Sequence, residues 1–128
     1  MRKIICLLLC AVIVLSLSSC SEDANNAHVA LQISFGQVTY YGNYEFSTVT
    51  INVMPTGDYK FESAYVRPTL SCKDGWKCTS YDPYYIYLDK DGYGEITLVA
   101  FRNTNEVGYL LPQWAIKIDD YNVVGKVR

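Results

Sequence analysis

Histidine is almost missing from this chain: His28 stands alone among 128 residues. A single imidazole rules out zinc sites built on paired histidines, and its place ahead of the first expected strand leaves an activated nucleophile in the domain without its usual base. Basic residues never cluster, and nucleic-acid binding needs a concentrated positive face, so that class of partner is excluded. No Gly-x-Ser-x-Gly elbow and no phosphate-cradling glycine loop occur. Carboxylate pairs do occur, at Asp119-Asp120 and around Asp89, and two carboxylates suffice for glycoside hydrolysis. Neighbours on a turn point apart into water, without the contrasting environments that separate an acid from a base. The expectation is a protein that performs no catalysis and needs no cofactor. Helical spacing of apolar residues is also missing beyond residue 28, which leaves out helical bundles.

What the chain does have begins at its first residue. Arg2 and Lys3 precede an apolar run from Ile4 to Leu17, and the run ends on Leu17-Ser18-Ser19-Cys20. That run is short for a membrane span and has the form of an export signal helix with a cleavage site. The four residues ending in Cys20 resemble the lipobox of bacterial lipoproteins. The resemblance implies cleavage before Cys20, acylation of that residue, and a membrane partner reached through the lipid. Ser21-Glu22-Asp23 resemble the acidic signal that sends some lipoproteins to the outer face of the outer membrane; a periplasm-facing position is the alternative. Residues 1–19 are thus expected to be a signal peptide, 20–28 a lipidated cysteine with a flexible tether, and 29–128 one folded domain.

The 109 residues left after cleavage suit one compact domain. They carry nine basic and thirteen acidic side chains, a net of −4. Two of the five cysteines, Cys72 and Cys78, fall inside the domain. In an exported protein such a pair invites a disulfide. A three-residue turn at Asp74-Gly75-Trp76 would set the two opposite each other on a hairpin. Closing so short a loop contributes about 2.4 kcal/mol in the chain-entropy model.

Alternation with period two recurs through the domain, as in half-buried strands. Val29, Leu31, Ile33 and Phe35 share one parity, Gly36 interrupts, and Gly42-Asn43 makes a turn. Val49, Ile51 and Val53 alternate with Thr48, Thr50 and Asn52, and Tyr59, Phe61 and Tyr65 resume the pattern as far as Pro68, which marks an edge position or a break. Asp89 to Gly94 reads as the turn of a hairpin between Tyr84–Leu88 and Glu95–Arg102. Asp119-Asp120 reads as a last turn before a closing strand, Tyr121 to Val127. Seven or eight short strands predict an all-β fold, a single antiparallel β-sandwich, with a small β-barrel as runner-up. Asp89 to Leu98 also resembles the turn and following strand of bacterial immunoglobulin-like and transthyretin-like domains.

All twelve tyrosines lie beyond the signal. On a strand Tyr85 and Tyr87 share one face while Tyr84, Ile86 and Leu88 share the other. With the Ile86 face in the core, Tyr85 and Tyr87 form a surface strip, extended by Trp76 or Tyr81. Packing inside the sandwich is the alternative for these rings. Asp89, Asp91 and Glu95 are calcium candidates, against which stands a glycine placed fourth rather than sixth in the loop. The functional expectation is a binding or assembly module contacting an extracellular or periplasmic protein or glycan. The alternative is an inhibitor or immunity-type lipoprotein that inserts the loop between Cys72 and Cys78 into an enzyme cleft.

Overall fold

The computed structural model describes residues 21–79, 84–105 and 108–128. The signal, Cys20, Tyr81 and Asp82-Pro83 lie outside the described residues. Among those described, nine strands form two antiparallel sheets, as expected of a sandwich. They are β1 (Glu22–Asp23), β2 (Val29–Phe35), β3 (Thr39–Tyr41), β4 (Tyr44–Pro55), β5 (Phe61–Cys72), β6 (Lys77–Cys78), β7 (Ile86–Tyr87), β8 (Gly94–Asn103) and β9 (Ile116–Val127). A single helical turn, α1 (Pro112–Ala115), leads into β9. The first sheet has the order β1-β9-β5-β7 and the second β2-β4-β8-β6, with β3 added to β4.

The core lies between the sheets because the alternation of β4 is obeyed residue by residue. Val49, Ile51 and Val53 are buried, while Thr48, Thr50 and Asn52 face outward. Each fully buried Val or Ile contributes about 1.5–3 kcal/mol relative to exposure. Ile51 and Val53 from the second sheet meet Phe61, Val66, Ile86 and Val127 from the first. Toward the other end Val49, Leu98 and Ala100 meet Trp76, Ala115 and Ile116.

Of the two readings at Pro68 the edge position holds, and β5 runs straight through it, paired with Tyr121 of β9. On the other side β7 pairs only with Tyr65 and Val66, so there is no ladder at Pro68 for the missing amide to break. Asp119-Asp120 is not a turn. Thr69 pairs with Asp120 and Leu70 with Ile118, which leaves Asp119 as the extra residue of a β-bulge inside one long β9. Asp119 there accepts a hydrogen bond from the Ser71 hydroxyl at 3.0 Å.

The Asp89–Gly94 turn forms, with Gly92 N–H on Asp89 O at 3.0 Å and Asp89 N–H on Tyr93 O at 2.9 Å. Its flanking strands do not continue as a hairpin: β7 joins the first sheet and β8 the second, so the turn carries the chain between layers. The expected tether is likewise folded from Glu22 onward. Glu22 and Asp23 pair with Val127 and Lys126 as an edge strand, and Ala24 and His28 are buried. His28 Nδ1 accepts the Asn25 amide at 3.0 Å, and its ring meets Tyr59 edge-on at 4.8 Å.

Candidate functional site

β7 is short, yet it decides where the aromatic side chains go. Tyr84 and Ile86 turn into the core, and Tyr85 and Tyr87 turn out, 41% and 73% exposed. Tyr65 joins them from β5 as the register partner of Tyr87, and Val124 of β9 completes the row on its other side. The Tyr65 ring lies 5.3 Å from Tyr85 at an interplanar angle of 67° and 5.9 Å from Tyr87 at 56°. Arg67 places its guanidinium 5.4 Å from the Tyr85 ring centre. Tyr65 escapes a parity argument because Ser63 adopts a left-handed φ of 50° and the β5–β9 register slips between Glu62 and Tyr65. The bulge turns Tyr65 outward although Phe61, of the same parity, is buried.

Trp76 does not belong to this surface. It is 3% exposed, and its indole N–H donates to Leu110 O at 3.0 Å. The turn that carries it is fastened from within. Arg102 sits under the Trp76 ring at 4.7 Å, pairs through Nε with Glu45, and reaches Asp74 through its Nη1 at 2.9 Å. Glu45 and Arg102 are both buried and face each other across β4 and β8. Asp74 also accepts the Leu110 amide. That hydrogen bond, the Tyr109 amide and the Arg102 guanidinium hold its carboxyl below the usual carboxylate range. This network was not legible in the sequence, because Glu45, Asp74 and Arg102 are separated by tens of residues.

Cys72 and Cys78 are not opposite each other on a hairpin. Cys72 ends β5 against Ile116 in the first sheet, and Cys78 pairs with Ala100 in the second. Positive φ values at Asp74 and Gly75 turn the chain from one layer to the other. The sulfurs approach to 3.8 Å as two thiols, well beyond the bonded distance of about 2.05 Å. Burial, and then the neighbouring Cys72, push the Cys78 thiol up to about 12. Cys72 is exposed.

The calcium candidates do not converge. Asp89 Oδ1 accepts the amides of Asp91 and Tyr93, Asp91 pairs with Lys60 at 2.7 Å, and Glu95 points out from β8. Among the described residues no group of three or more His, Cys, Asp or Glu side chains is placed to hold a metal ion. Among the same residues no helix is long and apolar enough to cross a membrane. No family model matches the chain, and neither a curated protein nor a solved structure matches it.

Proposed function

We propose that this protein is a lipid-anchored, non-catalytic contact module of the outer membrane, displayed at the cell surface, that binds another protein through the Tyr65, Tyr85 and Tyr87 row. The observation that carries the reading is the outward placement of three rings on a sheet, with Tyr85 and Tyr87 each tilted against Tyr65. Tyrosine offers large apolar area at low entropic cost together with a hydroxyl. The tilt favours a protein over a sugar for this row, since side chains fill notches between rings whereas a flat pyranose needs a flat platform.

Acyl chains on Cys20 supply the attachment, at roughly 0.8 kcal/mol per buried methylene. Ser21 is then the one residue between the anchor and β1, so the domain rides close to the bilayer. We also assign Cys72 and Cys78 a disulfide after export. Two thiols give one S–S bond, and two protons and two electrons pass to the disulfide of an exported thiol oxidoreductase.

The test places a photo-crosslinking phenylalanine analogue at position 87 in intact cells. One discrete protein adduct is expected, lost on Tyr85→Ala while the melting temperature holds. No adduct, or an adduct indifferent to Tyr85→Ala, overturns the contact reading. Mass spectrometry of the same protein reports separately on acylation at Cys20.

A further inference from the structure

The outer face of the second sheet carries a different surface. Gln32 of β2 pairs with Asn52 of β4, and Asn52 pairs with Glu95 of β8, so three planar polar side chains form one row across adjacent strands. Strand spacing sets them about 4.8 Å apart. The row floors an open depression of about 560 Å³ whose wall includes Met54 and Tyr93, the latter 56% exposed. Among the described residues none of the three polar side chains makes a hydrogen bond or an ion pair. Gln32 and Glu95 are exposed and Asn52 half-buried. The neighbouring row is Ser34, Thr50 and Thr97, which continues the polar surface with hydroxyls.

From this juxtaposition we infer that the Gln32, Asn52 and Glu95 row, with Tyr93 beside it, is a binding site for a neutral glycan. A carboxamide presents a donor and an acceptor side by side, and a carboxylate presents two acceptors, which suits the adjacent hydroxyls of a sugar ring. An aromatic face and a thioether at the margin take the C–H face of the same ring. No lysine or arginine lines the depression, and it carries one carboxylate, so anionic sugars and phosphates are disfavoured. The row sits in three strands of one sheet, which keeps its spacing fixed before a ligand arrives. It is independent of the tyrosine row, which lies on the other sheet.

The experiment uses the full chain in a zwitterionic detergent. It is titrated calorimetrically with the hexasaccharides of maltose, cellulose, xylan, mannan and chitin type, with hexagalacturonate as the anionic control. At least one neutral hexasaccharide is expected to bind with a Kd of about 1 mM or tighter, weakened about tenfold by Asn52→Ala. Gln32→Ala, on an exposed edge position, gives the same loss and stands in where Asn52→Ala fails to fold. Tyr85→Ala leaves the affinity unchanged. The inference is overturned by no heat from any neutral sugar at about 5 mM, by preference for hexagalacturonate, or by binding that both row variants leave intact. Failure here leaves the crosslinking outcome at position 87 untouched, and the reverse also holds.

Discussion

Cys72 and Cys78 belong to different sheets, yet their sulfurs lie 3.8 Å apart. A bond between them would staple the two layers at one end of the sandwich rather than close a hairpin. Oxidation of the purified protein with diamide is expected to stabilise it by about 2 kcal/mol against urea. The double variant Cys72→Ser with Cys78→Ser should show no difference between oxidised and reduced samples. Before oxidation, iodoacetamide at neutral pH should label Cys72 well ahead of Cys78, whose thiol stays protonated. Equal labelling rates would contradict the burial of Cys78.

Glu45 and Arg102 form an ion pair with both partners buried. Removing Arg102 leaves the buried Glu45 carboxylate without its countercharge, whereas removing Glu45 leaves Arg102 paired with Asp74. Arg102→Leu is expected to cost about 3 kcal/mol or more, and Glu45→Leu less, because Asp74 still faces Arg102. The double variant Glu45→Leu with Arg102→Leu should cost clearly less than the two single changes added together, as read from urea denaturation of all four proteins. Strict additivity would show that the pair is not coupled.

The Asp74 carboxyl is held below its ordinary range by the Leu110 amide first, with the Tyr109 amide and Arg102 adding to it. A depressed folded value means that its contribution is present above the unfolded value and lost as pH falls through the folded one. Stability should therefore decline below about pH 4. Asp74→Ala should lower stability at neutral pH and flatten the acid limb of the curve. A variant with an acid limb parallel to that of the parent would place the titration elsewhere.

Gly125 sits opposite the β5 bulge with φ of 128°, and an added Cβ would meet Ala64 Cα at 2.5 Å. That atom and Ser63 O, met at 2.8 Å, both belong to the backbone, so the clash cannot be relieved by a rotamer. Gly125→Ala is expected to lose about 1–3 kcal/mol. Gly42→Ala serves as the comparison, since φ is 58° there and nothing lies within 4 Å. It should cost about 1 kcal/mol from backbone strain alone. Thermal denaturation of the two variants separates strain from collision.

The alternation of Val49, Ile51 and Val53, and of Tyr84 and Ile86 against Tyr85 and Tyr87, was legible because inward and outward positions follow the pleat of a strand. The same logic failed at Tyr65, where Ser63 inserts a residue and reverses the parity. It failed again at Asp119, which bulges instead of turning. Trp76 was misplaced for another reason: a turn position gives no hint that Arg102, from β8, will draw the ring inward.

Residue order alone determined the all-β class, the inward faces of β4 and β7, and the reversals at Gly42, Asp74 and Asp89, because each depends on neighbours a few positions apart. The assignment of strands to sheets was decided only in three dimensions. Turns at Asp74 and Asp89 fix a local reversal but not the layer that receives the next strand, and that choice follows from which apolar faces can be buried together. The Gln32, Asn52 and Glu95 row and the buried Glu45–Arg102 pair exist for the same reason: pairing register, which no single strand encodes, brings them side by side.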